Sequence, residues 1–569
     1  MKWFPLEQFG PFQVLLALSV AGLLAYGQTL WYPFVHDEIV SVQHNPLIAR
    51  FDWNEIIHGT GTAVLKEGTS STLNAYYRPL LELFYRIEYA LFGLDPAGWH
   101  LFNIFLHIAN GFLAYSLMNM FSDHKKGLAF AVSLLFLLHP VQTETVACIS
   151  GVSNLLFAFF GLSSLCLYLK YLQKGSARFY VLSLAAFATA LLAKEQAVIW
   201  PVLIFLLPTN PSPAGTFSFW HGKKKKFMCL GGYLVVLTAY FAAREIFMGQ
   251  GALPAIAFNY ELLLRVSSIP RTLLMYLGTI FFPRDLHYYR SVDILRPNGA
   301  SMGLFLVVLV VIIWMICRIP QSYRRLLLLG AGWFGIILLP VLNIVPLINE
   351  YSLILTAEHF LYLPLIGVLL FVLGLGDLFL NRMPERRRIF LAKGGIGLLA
   401  LLFLAMTLRQ STCWAGEIPL FERTVRFEKD FGRAHILLAK SYYENGEYVK
   451  AIETYRRALA IMDGYLAKVG PQPAASVYLG FIKEIHFDLA HCFEGLGDFE
   501  AAASAYLRAL VVDPADASVH NNLGVSYINL GDREKAAAHF REAIALDPRS
   551  VVARKNLEKL LHSSDERGK

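Results

Sequence analysis

The chain has 569 residues, 56% of them hydrophobic, and a mean hydropathy of +0.48. This excludes an ordinary soluble globular protein, because so many apolar residues would be left facing water. The formal charge of +8 does not point to nucleic acid, since the basic residues cluster in short loops between apolar runs.

The apolar residues concentrate before about residue 408, after which the chain turns polar and Ala-rich. Three parts are therefore expected: a membrane domain over 1–408, a connecting helix over 409–431 and a soluble domain over 432–569. Runs long enough to span a bilayer lie near 11–33, 98–121, 153–169, 228–243, 301–317, 326–345, 360–380 and 389–408. Shorter or interrupted runs lie at 127–138, 179–193, 197–208 and 270–283. The first run is too long for a signal-peptide core and lacks a cleavage site, so it is expected to stay as a helix. The basic clusters are Lys2, Lys125/Lys126, Lys170/Lys174/Arg178, Lys223 to Lys226, Arg318/Arg324/Arg325 and Arg382/Arg386/Arg387/Arg388. Placing all of them in the cytoplasm requires an even number of crossings between neighbours. That gives about eleven crossings, leaves 270–283 as an interfacial or re-entrant extra, and puts the C-terminal domain outside.

The same topology gathers several polar loops on one outer face. After the first run comes Trp31-Tyr-Pro-Phe-Val-His-Asp-Glu-Ile-Val-Ser-Val-Gln-His-Asn45. Asp37 and Glu38 stand where the chain leaves the bilayer, a costly place for acids without a purpose. They are either part of a plain hydrophilic loop or catalytic carboxylates facing a substrate half in lipid. Residues 76–92 show helical spacing of apolar positions with Arg86 and Glu88 between them, and predict an amphipathic interfacial helix starting near Pro79. His100, Asn103 and His107 share a helix face and read as a polar helix seam, with a metal site as the alternative. Further along, the outer loops carry His139 and Glu144, then Lys194-Glu195, Arg244, Arg271, Arg284, Arg290, and Glu358-His359. Lys194-Glu195 is either a neutralised pair or a Lys offered to a phosphate. Cys413 and Cys492 could meet in an oxidising space, but sequence alone does not pair them.

From about residue 432 a 34-residue period appears. One unit carries Leu438, Ala439, Tyr442, Ala451, Tyr455 and Ala458. A second carries Leu489, Ala490, Phe493, Ala502, Tyr506, Ala509 and Pro514. A third carries Leu523, Gly524, Tyr527, Ala536, Phe540, Ala543 and Pro548. Gly446, Gly497 and Gly531 mark the turns. The first two units are offset by about 17 extra residues around Tyr465 to Ile482, and 551–561 reads as a polar capping helix. This is the tetratricopeptide pattern, whose concave surface binds a peptide or, alternatively, only oligomerises the protein.

Together these pieces resemble the transmembrane and tetratricopeptide repeat proteins, which include protein O-mannosyltransferases with the GT-C membrane fold. The resemblance rests on Asp37-Glu38, Tyr77-Arg78-Pro79-Leu80, Trp99-His100-Leu101-Phe102-Asn103 with His107, and Leu138-His139-Pro140-Val141-Gln142-Thr143-Glu144. It continues through Ala193-Lys194-Glu195, Glu358-His359-Phe360-Leu361-Tyr362-Leu363-Pro364 and the repeats. The family often shows two Asp at the first motif and an Arg where His359 stands. The short repeat array and the lack of an N-x-[ST] acceptor point to a bacterial member of the inner membrane, with periplasmic catalytic loops and repeats.

The resemblance implies an all-α chain: a GT-C-like helical bundle followed by a tetratricopeptide α-solenoid. It implies a glycosyltransferase using a polyprenyl-phosphate sugar, mannose or another hexose, to modify a Ser or Thr hydroxyl of a protein presented by the repeats. Asp37 is the candidate base of an inverting displacement, with Glu38 orienting the acceptor or a cation. Arg78, Lys194, Arg244 and His359 are candidates for the donor phosphate. His139, Glu144, Glu195 and Glu358 are acceptor-side or structural polar residues. A divalent metal is an option that the chemistry does not require. The competing readings are a non-enzymatic scaffold for envelope or pilus proteins and a lipid-linked glycan ligase. A transporter fits poorly, since the polar residues gather at one face and not at mid-bilayer.

Overall fold

The computed structural model describes residues 10–58, 77–122, 125–206, 223–248, 260–293, 299–342, 353–469 and 475–565. Lys2, the parts of the expected outer loops at 59–76, 249–259, 294–298 and 343–352, and residues 470–474 of the expected insertion lie outside them. The chain divides into two compact units, Met1–Gly416 and Glu417–Lys569. The last apolar helix runs on through Ser411, and the next helix, Glu417–Phe427, packs in the second unit. Cys413 and Cys492 fall in different units.

Among the described residues, seven helices are long and apolar enough to cross a membrane: Pro11–Trp31, Pro96–Phe121, Ile149–Lys174, Phe227–Met248, Gly299–Arg318, Tyr323–Val341 and Glu385–Trp414. Lys126–Leu138 and Pro140–Ala147 form a pair bent by 53°, an eighth candidate if taken as one span. Ala177–Ala193, Glu195–Leu206 and Pro364–Leu380 are apolar but shorter. Each expected crossing thus coincides with an apolar helix, and the protein is a multi-pass membrane protein. The extra run forms the helix Tyr260–Phe281, which is not among these candidates. The bend at His139 has a local cause. Pro140 has no N–H to donate and pushes the residue before it out of the helical region, and His139 is extended at φ −68°, ψ 127°.

Two helix contacts set the frame. Gln321–Leu338 and Pro364–Leu380 cross where Gly330 and Gly367 meet; a Cβ on either would lie 2.6 or 2.5 Å from the other's carbonyl oxygen. Only glycine permits so close a backbone approach. At the end of this pair nearest Leu380, Tyr323 donates to buried Asp377 (3.0 Å), Lys125 lies 3.7 Å from the same carboxylate, and Arg388 donates to Asn381 (3.0 Å). The clusters around Lys125, Arg324 and Arg388 therefore share one end of the bundle.

The helix Pro79–Phe92 differs from expectation in which side it buries. Glu82, Arg86 and Glu88 face inward, while Leu91 is 69% exposed. Arg86 donates to Glu82 (2.8 Å), Glu55 (3.2 Å) and the Arg50 carbonyl (2.8 Å). The polar stripe clamps the preceding loop, and apolar residues are left to face the surroundings. His107 and Asn103 act as a seam. His107 contacts the Tyr362 hydroxyl at 2.8 Å and the Leu137 carbonyl at 3.1 Å, and Asn103 donates to the Cys148 carbonyl at 2.9 Å. The helices carry one small addition: Arg290–Asp293 pairs antiparallel with Leu353–Thr356, Arg290 opposite Thr356.

In the second unit, helices Gly432–Glu444 and Tyr448–Val469, Ala475–Gly495 and Phe499–Val512, and Ala517–Asn529 and Arg533–Leu546 form three hairpins, capped by Val551–Asp565. Gly446, Gly497 and Gly531 sit at φ 75°, 76° and 81°, the left-handed turn that an L side chain resists. Tyr455, Tyr506 and Phe540 are buried against the small residues of their partner helices. The insertion lengthens two facing helices to 22 and 21 residues and leaves the repeat hairpin otherwise regular.

Candidate active site

At the end of the bundle opposite Lys125, five separate segments converge: 32–48, 139–154, 194–199, 285–293 and 356–362. The first follows the helix that ends in a short 3-10 turn at Gly27–Trp31. There the two acids part company. Glu38 is 0% exposed. One of its oxygens accepts from Val35 N (2.9 Å), and the other accepts from Ile149 N and, at 3.4 Å, from Ser150 N. It stitches the first loop to the 148–151 turn. That turn needs Gly151, whose Cβ would sit 2.2 Å from the Thr145 carbonyl oxygen. Asp37, by contrast, has a side chain 63% exposed, with His36 Nε2 3.2 Å from one oxygen.

Burial pushes the Glu38 carboxyl up to about 7, against the pull of its backbone donors. A group raised on folding stabilises the protonated protein. Its contribution is complete at pH values below the ordinary carboxylate range and is lost as pH rises through about 7. We therefore expect the melting temperature of the detergent-solubilised protein to fall between about pH 5 and pH 8. The Glu38→Gln variant should lack that component; a slope equal to wild type would remove Glu38 as its source.

The phosphate candidates are brought together and are already engaged. Arg78 grips Glu195 with two hydrogen bonds, Nε–Oε2 at 2.9 Å and Nη2–Oε1 at 2.6 Å. The next residue back, Lys194, is 4% exposed and donates to Asn154 Oδ1 at 2.5 Å. Burial, with Arg78 adding to it, pulls the Lys194 ammonium down to about 7, although Glu195 and Glu144 oppose the shift. Its ammonium lies 5.7 Å from the Phe360 ring centre. His359 offers both Nδ1 (2.8 Å) and its backbone N–H (2.9 Å) to the two oxygens of Glu144. Burial lowers the His359 imidazole, with Glu144 opposing. Arg244 lies one turn beyond Tyr240 on the helix Lys223–Met248, and the Tyr240 ring packs on Tyr77, next to Arg78, with centres 5.9 Å apart.

Glu358 is held differently. It accepts from His287 N (2.7 Å) and lies 3.5 Å from Arg290. Burial raises its carboxyl, with Arg290 opposing. Arg290 also binds Asp285 at 2.9 Å, and this pairing holds Asp285 below the usual carboxylate range despite its partial burial. His139 is a structural corner: its ring contacts the Ile280 carbonyl (3.1 Å), accepts from Val141 N (3.2 Å) and packs on Phe403 at 4.4 Å. Asn154, Asp285, His36 and Tyr288 were not singled out from sequence. Asn154 was legible only as the end of the Ser150–Asn154 loop, and nothing in the local sequence marked the others. Among the described residues, no three His, Cys, Asp or Glu groups are placed to hold a metal ion.

The fold and this cluster define a class: a multi-pass membrane protein with a polar site at one end of its bundle and a tetratricopeptide domain at its C-terminus. Tetratricopeptide repeat family models match residues 432–465 and 487–551. Over 518 residues the chain is 26% identical to the human protein O-mannosyl-transferase TMTC1, covering 78% of this chain and 54% of that one. It is 25% identical to mouse protein O-mannosyl-transferase TMTC4 over 513 residues, with 78% and 66% covered. Over 200 residues it is 34% identical to protein O-mannosyl-transferase tmtc2 of Xenopus laevis, with 32% and 22% covered. The resemblance read from the motifs is thus found across most of the chain. The chain spans between about half and two thirds of the length of the two longest-matched relatives.

Proposed function

We propose that the chain is a membrane glycosyltransferase that moves a sugar, mannose or another hexose, from a polyprenyl phosphate to a Ser or Thr hydroxyl of a protein held by the repeats. The observation that carries this reading is the contrast within the site. The other candidate carboxylates are buried and committed to donors, while Asp37 is presented to solvent beside them.

The reaction is a single displacement at the anomeric carbon. The acceptor oxygen bonds to that carbon as the bond to the phosphate oxygen breaks, the configuration inverts, the acceptor proton passes to Asp37, and the electron pair leaves on the lipid phosphate. Arg78 and Lys194, with Arg244, are the cations assigned to receive the departing charge. Phosphate is already a good leaving group, so no general acid is required. We take the site to face the extracytoplasmic side, because the Lys125, Arg324 and Arg388 clusters lie at the opposite end of the bundle.

The test is transfer itself. Membranes containing the full chain are given tritiated polyprenyl-phosphate mannose and a Thr-rich peptide. Label on the peptide that alkaline β-elimination releases is the expected result. Tight peptide binding with no label at any donor concentration would favour the scaffold reading, and label on lipid or glycan alone would favour the ligase.

A further inference from the structure

Three residues around Asp37 have no part in the reading so far. His36 and Tyr289 both have φ of +54°, and they are the residues other than glycine with positive φ among those described. For side chains of this size that backbone is disfavoured, and it persists only where the surroundings enforce it. Both strained residues touch the same ring. The His36 imidazole meets Tyr288 edge-on, with centres 5.0 Å apart and planes at 74°, and the Tyr289 ring centre lies 4.1 Å from that of Tyr288. Tyr288 itself is 7% exposed and is backed by Trp414 at 6.1 Å, near the end of the last apolar helix.

Resting on the reading of Asp37 as base, we infer that His36 is a positioning residue. Its Nε2–H, held by the Tyr288 ring, engages one oxygen of Asp37 and leaves the other for the acceptor hydroxyl. His36 Nε2 lies 3.2 Å from Asp37 Oδ1, an ion-pair distance from which that bond can form. A carboxylate on an exposed turn would otherwise rotate freely and point at the acceptor only part of the time. The left-handed turn at His36 brings its ring back over the residue that follows it. On this reading His36 acts on Asp37 alone, so donor binding should not depend on it.

The test compares full-length variants in detergent, with polyprenyl-phosphate mannose and a Thr-rich peptide as probes. His36→Gly accepts the positive φ without strain but removes the donor. It should lower kcat by roughly tenfold or more while the donor KM stays near wild type. His36→Gln restores an N–H at similar reach and should recover part of the loss. Tyr288→Leu removes the supporting ring and should cost more kcat than Tyr288→Phe, which keeps one. Combining His36→Gly with Tyr288→Leu should add little to either alone, because both act through one contact.

Wild-type kcat in His36→Gly, with Asp37→Asn inactive, would overturn the positioning role and leave the base in place. Wild-type turnover in Asp37→Asn would overturn the base reading itself. If His36→Gly fails to fold, Tyr288→Leu equal to Tyr288→Phe would overturn the proposal on its own.

Discussion

Asp37→Asn is expected to lower sugar transfer by about 10²–10⁴-fold, the range that removal of a general base commands. The side chain is 63% exposed, so the variant should fold as wild type does, within about 0.5 kcal/mol. The amide cannot take the acceptor proton, yet it keeps the shape of the carboxylate and leaves the neighbouring cations undisturbed. Donor KM should therefore hold while kcat falls. Equal expression and melting temperature, with label lost from the peptide, is the expected pattern. Retained label would remove Asp37 from the chemistry. Glu38 gives the opposite pattern: its loss should appear first as instability of the loop it stitches to 149–150.

The second large effect concerns Arg78. Its side chain is 18% exposed and that of Glu195 15%, and the two are joined by a bidentate pair. Arg78→Met alone leaves a largely buried carboxylate without its partner, a loss that approaches the roughly 3–5 kcal/mol of a fully buried pair. Loss of activity in that variant would say nothing about phosphate. Arg78→Met combined with Glu195→Met removes both charges and should recover most of the stability. If Arg78 receives charge from the departing phosphate, the double variant stays inactive despite folding. If the pair is only structural, activity returns with stability. Thermal melts and transfer rates on the three proteins decide between the two.

The sequence made some of this visible and hid the rest for physical reasons. Apolar runs and the 34-residue period are local patterns, and they gave the membrane helices and the repeats. Asp37 and Glu38 were both read as catalytic, and it is the reach of Glu38 to Ile149, 111 positions on, that takes it out of the exposed pair. The partnerships were not local. Arg78 meets Glu195 across 117 positions and Glu144 meets His359 across 215, distances over which no spacing rule operates. Arg78, Arg244 and His359 were therefore read as cations open to phosphate, and Lys194 as either that or the partner of Glu195, whereas Arg78 holds Glu195, Lys194 holds Asn154 and His359 holds Glu144. The helix Pro79–Phe92 misled in another way. Arg86 between apolar positions reads as a solvent face, but Glu82 and Glu55 make it a buried clamp. The ribbon at 290–293 and 353–356 joins two four-residue strands too short to leave a pattern.

The helix Lys126–Leu138 has only 13 residues. At ~1.5 Å per residue it rises about 20 Å, well short of a hydrocarbon layer of about 30 Å. Its lower end is tied beside Lys125 to Asp377, and Pro364–Leu380 alongside it has 17 residues. The polar turn that follows, with Gln142 and Glu144, is therefore reached after fewer helical residues than a full span requires. On the proposed reading, a lipid-borne phosphate would meet these polar groups by moving sideways from its own leaflet, and the acceptor would be the partner that has to come down to them.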